Sequence, residues 1–280
     1  MRVAIIGYGF VGKALEFGIK DNVETFKVDP KLGTEISDLI DFKPHICFVC
    51  VPTPMNDDGT QNISILKDAI KEIKMMSISS LIVLKSTVLP NHFTELKELI
   101  PNLIYNPEFL REKSANEDFI NSELILFGGQ KEQTEYLAKF YKNHTNCINQ
   151  KYRHTDIISA SLIKYSINTF LATKVTFFNE LYKLFQKSGS SDSWNNIVDI
   201  ISVDKRIGDS HMQVPGHDGK FGFGGPCLPK DARALCLYAD EVNAPMKVLK
   251  KAIESNNAVR NNYESLSKRE LEQNINYNND

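Results

Sequence analysis

Val3-Ala4-Ile5-Ile6-Gly7-Tyr8-Gly9-Phe10-Val11-Gly12 sets a four-residue apolar run directly before three glycines in the pattern G-x-G-x-x-G. Lys13-Ala14-Leu15-Glu16-Phe17 then favours helix, and Val23-Glu24-Thr25-Phe26-Lys27-Val28 reads as a second strand ending at Asp29. The glycine pattern alone is weak. Strand, glycine turn, helix, strand and terminal acid together specify a dinucleotide-binding βαβ unit. Gly7 permits the tight turn, Gly9 lets the backbone reach a pyrophosphate, and Gly12 lets helix and strand pack closely. The whole turn, with Tyr8, Phe10 and Val11, is the expected cofactor contact at a helix N-terminus. Asp29 would accept a hydrogen bond from the adenosine ribose and repel a 2′-phosphate, which favours NAD over NADP. Lys31 weakens that preference slightly.

Further apolar runs recur with helical stretches between most of them. Ile46 to Val51 ends in Pro52-Thr53-Pro54, Leu81 to Leu84 in Lys85-Ser86-Thr87-Val88, Leu103 to Tyr105 in Asn106-Pro107-Glu108, and Leu124 to Phe127 in Gly128-Gly129. This alternation predicts an α/β chain with an N-terminal Rossmann-like, doubly wound and mainly parallel sheet. Ligands of such sheets bind outside the carboxyl ends of the strands, so Thr53, Thr87 and Glu108 belong to the ligand side.

Asp156 to Lys187 contains neither proline nor glycine and predicts one long helix stopped at Ser188-Gly189. Its middle is apolar on nearly every face, which requires several neighbours or a second subunit. Lys164 and Asn168 stand four apart and project from one face. Shorter helices are expected over Ser193 to Ser202, Asp231 to Val242 and Pro245 to Tyr263. The expected organisation is a cofactor domain over 1–152, an all-α domain with a long central helix over 153–263, and a polar, frayed tail over 264–280.

Composition narrows the partners. The 280 residues are 42% hydrophobic and 24% charged, with a formal charge of −2, so nothing favours nucleic acid or an anionic membrane surface. No apolar run has membrane-spanning length, and the first residues lead into the glycine turn without a signal-peptide cleavage site, which predicts a cytoplasmic protein. Cys47 and Cys50 form C-x-x-C inside a β-prone run. Three residues apart on a strand they face opposite ways, so both read as core rather than a metal or redox pair. No metal site is expected.

Phe221-Gly222-Phe223-Gly224-Gly225-Pro226-Cys227-Leu228-Pro229-Lys230-Asp231 carries the chemistry. Glycines deliver Cys227 to what reads as a helix start, where free amides and the helix dipole favour a thiolate. Lys230 acts in the same sense, and Asp231 lies one turn beyond the cysteine.

These segments together, in this order over roughly residues 2 to 255, resemble the UDP-glucose 6-dehydrogenase / GDP-mannose dehydrogenase family. The resemblance rests on Gly7–Gly12, Val51-Pro52-Thr53-Pro54, Ser86-Thr87-Val88, Asn106 to Glu112, Lys164 to Glu180 and Phe221 to Asp231. It implies oxidation of a nucleotide-sugar C6 hydroxymethyl to a carboxylate, with UDP-glucose the expected substrate and two NAD reduced. By resemblance Cys227 is the nucleophile, Lys164 and Asn168 steady the developing oxyanion, and Asp231 with Thr87 handles protons. Glu108 assists thioester hydrolysis. Val51, Pro52, Thr53, Ser86, Thr87, Glu112 (one helical turn past Glu108) and Lys230 join the glycine turn around the cofactor. Glu108, Phe109, Leu110, Lys164, Asn168, Arg206, Phe221, Gly222, Gly224 and Cys227 hold the sugar nucleotide. The family's dimer core implies a homodimer through the long helix.

The chain departs from the family pattern in three ways. The usual third domain has no counterpart, which predicts a short form lacking the C-terminal UDP-binding domain. Pro226 stands where the family commonly has a small or hydroxylated residue, and Asn91 replaces a common glycine. Two other readings stay open: a two-electron β-hydroxyacid dehydrogenase, and a non-catalytic NAD-binding module or partial subunit.

Overall fold

A computed structural model describes residues 1–278. Contacts divide the chain into two compact units, residues 1–53 with 62–164, and residues 54–61 with 165–280.

The first unit alternates strands and helices: β1 (Arg2–Ile6), α1 (Phe10–Gly18), β2 (Glu24–Val28), α2 (Leu39–Phe42), β3 (Ile46–Val49), α3 (Ser64–Met75), β4 (Leu81–Leu84), α4 (Phe93–Leu99), β5 (Ile104–Tyr105), α5 (Ala115–Ile120), β6 (Ile125–Gly128), α6 (Lys131–His144) and β7 (Tyr152–Thr155). The seven strands form one sheet in the order β2-β1-β3-β4-β5-β6-β7. All pairings are parallel except β5 with β6. Strand alternation feeds two cores. Ala4, Ile6, Cys47, Val49, Ile82 and Leu84 enter one. Val3, Ile5, Ile46, Phe48 and Val83 enter the other. A sheet buried on both faces explains why β3, β4 and β1 from Val3 onward are apolar at every position. The chain leaves β1 toward β2 on one side and returns to β3 on the other, so the topological switch lies between β1 and β3.

The cysteine pair follows the same alternation. Cys47 is fully buried in the first core, and Cys50, just past β3, packs against the second. Burial pushes each thiol up to about 12.

β7 is an addition that the sequence reading did not contain. Its residues, Tyr152-Arg153-His154-Thr155, are polar and partly exposed, so this edge strand lacks a hydrophobic signature. It pairs in register with β6, and Ile157 and Ala160 enter the first core. The first unit therefore extends past residue 152 to Lys164, inside the long helix.

That helix, α7 (Ile157–Lys187), runs 31 residues. The second unit continues through α8 (Trp194–Ser202), α9 (Leu228–Glu241), α10 (Lys247–Arg260) and α11 (Lys268–Glu272). Ser193 caps α8 by accepting from the Asn196 amide, and Trp194 packs on Phe178, Tyr182 and Phe185 of α7. α9 begins three residues before the expected Asp231, directly at the cysteine.

Within 264–278, part of the segment expected to fray, the chain forms α11 and a packed turn beyond it. Ser267 and Glu270 form a capping box on α11, and Ile275 and Tyr277 are buried at 4% and 6% exposure. These apolar anchors act with hydrogen bonds from Asn274 to the Met55 carbonyl and from Asn261 to the Tyr277 carbonyl to dock an otherwise Asn-rich segment. Residues 279 and 280 lie outside the described residues.

Candidate functional site

The glycine turn has the geometry its pattern requires. Gly7 has φ +90°, and a Cβ there would lie 2.8 Å from the Cys50 carbonyl carbon, across the switch point. A Cβ on Gly12 would lie 2.4 Å from the Gly7 oxygen, whereas one on Gly9 would meet nothing within 4 Å. Gly7 and Gly12 are thus needed by the protein itself, and Gly9 faces open space. Gly9 also caps α1 without a side-chain hydrogen bond, so the positive end of the helix dipole can face an anion. Asp29 is half-buried at the end of β2. One of its oxygens accepts from the Tyr8 amide at 2.7 Å and the other from the Lys31 amide at 2.9 Å. The Tyr8 hydroxyl bonds Glu16, which Lys27 also holds at 2.8 Å. That hydrogen bond, with burial, pushes Tyr8 up to about 12. These residues fit a dinucleotide: a helix start without a side-chain cap, a side-chain-free approach at Gly9, and a carboxylate one strand away.

The loops after β3 and β4 are tied together beside this turn. Thr53 donates to the Thr87 carbonyl at 2.9 Å and Ser86 to the Val51 carbonyl at 2.6 Å. Thr53, Ser86 and Thr87 are all buried. Glu108 and Lys164 form the innermost pair of this unit. Lys164 Nζ donates to the Glu108 carbonyl at 2.6 Å and its Oε1 at 3.2 Å, with side chains 3% and 8% exposed. The ammonium also lies 5.2 Å from the Phe109 ring centroid.

The second predicted group assembles in the other unit. Cys227 is the N-cap of α9 and is only partly buried. Its carbonyl accepts the first helical bond, from the Asp231 amide at 3.0 Å. Asp231 is 1% exposed. It receives Asn168 Nδ2 at 2.6 Å on one oxygen and Lys230 Nζ at 2.6 Å on the other. A carboxylate with two strong donors, one turn after a thiol at a helix start, is a compact proton-handling arrangement.

The loop before Cys227 is held by its backbone. The Phe221 amide donates to Tyr263, the Gly222 amide to Asn179 and the Phe223 amide to Asn256. Arg260 donates to the Gly222 carbonyl, and Gly222 has φ +76° with its missing Cβ 2.4 Å from Asn256 Oδ1. Gly224 is likewise packed under the Arg260 guanidinium.

Lys164 and Asn168, one turn apart on α7, bond Glu108 and Asp231 respectively. Lys230, expected beside a nicotinamide ribose, is buried against Asp231. Arg206 is exposed and clasps Asp204. Glu112 is not a helical turn past Glu108, because the Glu108 carboxylate accepts the Leu110 amide at 2.6 Å and turns the chain, and Glu112 starts a short 3-10 turn on the surface.

One buried group was missed. Lys85, 3% exposed, donates to the Asn106 carbonyl and side chain, and Tyr141 donates to the same Asn106 oxygen at 2.6 Å. The network fixes the strand end immediately before Pro107 and Glu108. Burial pulls the Lys85 amine down, partly offset by Cys50 and Glu108. A lysine closing an otherwise apolar strand was the available signal.

Fold and site together define the class: a dehydrogenase-type dinucleotide fold followed by a helical unit that carries a cysteine at a helix start. The UDP-glucose/GDP-mannose dehydrogenase family matches through its NAD binding domain over residues 15–145 and its central domain over residues 158–258, and the chain belongs to this family. The first unit therefore carries the family's NAD-binding domain. A UDP-glucose 6-dehydrogenase of Rickettsia felis is 37% identical over 222 residues, covering 75% of this chain and 47% of the relative. One of Bacillus subtilis is 34% identical over 225 residues, covering 76% and 48%. The chain thus spans about half the length of these curated relatives. Among solved structures, a UDP-glucose dehydrogenase from Pyrobaculum islandicum shares the fold with TM-score 0.76 at 24% identity, over 92% of this chain and 68% of that one. The 3-hydroxyisobutyrate dehydrogenase of Mycobacterium tuberculosis shares it with TM-score 0.67 at 16% identity, over 90% of each chain.

Proposed function

We propose that this protein is an NAD-dependent nucleotide-sugar 6-dehydrogenase that converts UDP-glucose to UDP-glucuronate through a covalent Cys227 intermediate. The observation that carries the reading is Cys227 at the start of α9, one turn before an Asp231 held by Asn168 and Lys230. When bound, NAD supplies the hydride acceptor in each of two oxidations. The chain's own residues do the rest. The Cys227 thiol adds to the C6 aldehyde left by the first oxidation: a C–S bond forms, and the thiol proton passes to the Asp231 and Thr87 proton path. Loss of a hydride from that thiohemiacetal gives a thioester. Water then attacks the thioester carbon, the C–S bond breaks, the acid leaves and the thiol is restored. Splitting the oxidation this way avoids one four-electron step. Lys164 and Asn168 are assigned to the oxyanion, and Glu108 to hydrolysis. Phe109, Leu110, Arg206, Phe221, Gly222 and Gly224 are assigned to the sugar nucleotide.

The proposal includes a homodimer and a cytoplasmic site of action. Phe170, Phe177 and Leu184 recur every seven residues along α7 and are 59–65% exposed, an apolar row that a second copy would cover. Among the described residues no helix is long and apolar enough to cross a membrane.

The decisive experiment supplies NAD and a panel of nucleotide sugars, and counts NADH per acid formed. Two per acid with UDP-glucose is expected. The likeness to 3-hydroxyisobutyrate dehydrogenase keeps a two-electron reading in play. One NADH per turnover with a β-hydroxyacid, together with full activity in Cys227→Ser, would establish that alternative instead.

A further inference from the structure

Glu270 lies beyond the residues matched to the family's central domain, yet it is among the most buried acids in the chain at 3% exposure. One oxygen accepts the Gly225 amide at 3.0 Å and the Tyr277 hydroxyl at 2.8 Å. The other accepts the Ser267 amide at 2.8 Å. Donors from three residues, Gly225, Tyr277 and Ser267, thus converge on one buried carboxylate. Burial alone would raise its pKa, but the bonds from Ser267, Tyr277 and Gly225 outweigh it and hold the group below its ordinary value.

The Gly225 bond lies two residues before Cys227. Pro226 has no amide hydrogen. Gly225 is therefore the nearest upstream residue whose N–H can anchor the chain before Cys227. Tyr263, Asn179 and Asn256 grip residues 221–223. Gly225 has φ +79° and no atom within 4 Å of where a Cβ would stand, so side-chain packing does not fix it. Ser267 and Tyr277 are in turn set by α11 and its docked tail.

We infer that Glu270 is a positioning residue for the Cys227 nucleophile: through the Gly225 amide it makes the C-terminal segment, Ser267 to Tyr277, the clamp that holds the cysteine loop. This rests on the proposed role of Cys227. Glu270 touches no reacting atom. Without it the 225–226 link gains freedom, and the thiol is more accessible but less often placed for attack.

The test uses the full chain with Glu270→Ala, Glu270→Gln, Tyr277→Phe and Ser267→Ala, reading iodoacetamide labelling of Cys227 by mass spectrometry alongside kinetics. Glu270→Ala should label about threefold faster or more, while kcat falls about tenfold and KM for NAD stays within about twofold. In Glu270→Gln one carbonyl oxygen must choose between Gly225 and Ser267, so labelling falls between wild type and Glu270→Ala. Tyr277→Phe shifts it less, in the same direction. Ser267→Ala removes a hydroxyl that caps α11 and also bonds the Glu270 carboxylate, but it spares the bonds from Gly225, Tyr277 and the Ser267 amide, so labelling should move less than in Glu270→Ala. If Ser267→Ala moves labelling as far as Glu270→Ala, or if folded Glu270→Ala labels at the wild-type rate, the inference is overturned. Should Glu270→Ala fail to fold, Glu270→Gln and Tyr277→Phe decide it. Absence of turnover with every nucleotide sugar would reject the proposed function, yet the labelling comparison would still judge the clamp.

Discussion

Lys164 Nζ touches Glu108 twice, at its backbone oxygen and its carboxylate, with both side chains almost sealed from water. Such a pair contributes little net stability, because desolvating two ions offsets their attraction. Losing one member is another matter, since it leaves the other charge buried alone.

Lys164→Ala should therefore cost about 3 kcal/mol in urea unfolding. If Lys164 also steadies an oxyanion, kcat should fall on the order of 10²–10³-fold. The double variant Lys164→Met/Glu108→Gln separates the effects. It should recover most of the stability and none of the activity. Recovery of both would leave the pair a purely structural feature.

Cys227→Ala should leave the first oxidation possible and stop the second. With semicarbazide present to trap aldehyde, NADH per substrate should fall from two to at most one, and no acid should accumulate. Acid formation at the wild-type rate would remove the thiol from the reaction.

Asn168 donates to Asp231 at 2.6 Å. Asn168→Asp replaces that donor with a second carboxyl group. Two carboxylates so close repel each other, and Asp231 loses the donor that orients it. kcat should fall by about tenfold or more at neutral pH. Wild-type kcat in the folded variant would remove Asp231 from the proton path.

The glycine turn offers a prediction with opposite outcomes at neighbouring positions. Gly9→Ala meets open space, so its melting temperature should match wild type while the Kd for NAD rises at least about tenfold, because the methyl occupies the cofactor's approach. Gly7→Ala meets the Cys50–Val51 backbone at a positive φ and should unfold more easily by about 1–3 kcal/mol. Calorimetry with an NAD titration checks both.

Much of this was legible in the sequence because the signals were local. The strand, glycine turn and terminal acid around Gly7–Asp29 define their own geometry, and an unbroken run without proline or glycine foretold α7. Cys227 was readable from the glycines and charges beside it. What the sequence hid depended on partners far along the chain. β7 is polar because it lies at the sheet's edge. Lys85 meets Asn106 and Tyr141 only after β4, β5 and α6 pack, and Glu270 finds Gly225 across 45 residues. Glu112 was misplaced because spacing alone cannot reveal that Glu108 bonds the Leu110 amide and breaks the helical register.

Glu270 also sets a pH dependence whose sign follows from its bonds. Its carboxyl is lowered from an ordinary 4.5 in the folded chain, so the unfolded chain binds the proton more readily. The stabilisation is therefore fully present above about 4.5, and it is lost as pH falls through the lower folded value. Glu270→Gln has no such proton to bind. Wild type should exceed the variant in unfolding free energy at neutral pH, and the gap should close as pH drops below 4.5. A gap constant down to about pH 3 would mean that the group titrates alike in both states, and that the donors from Gly225, Ser267 and Tyr277 do not hold the charged form.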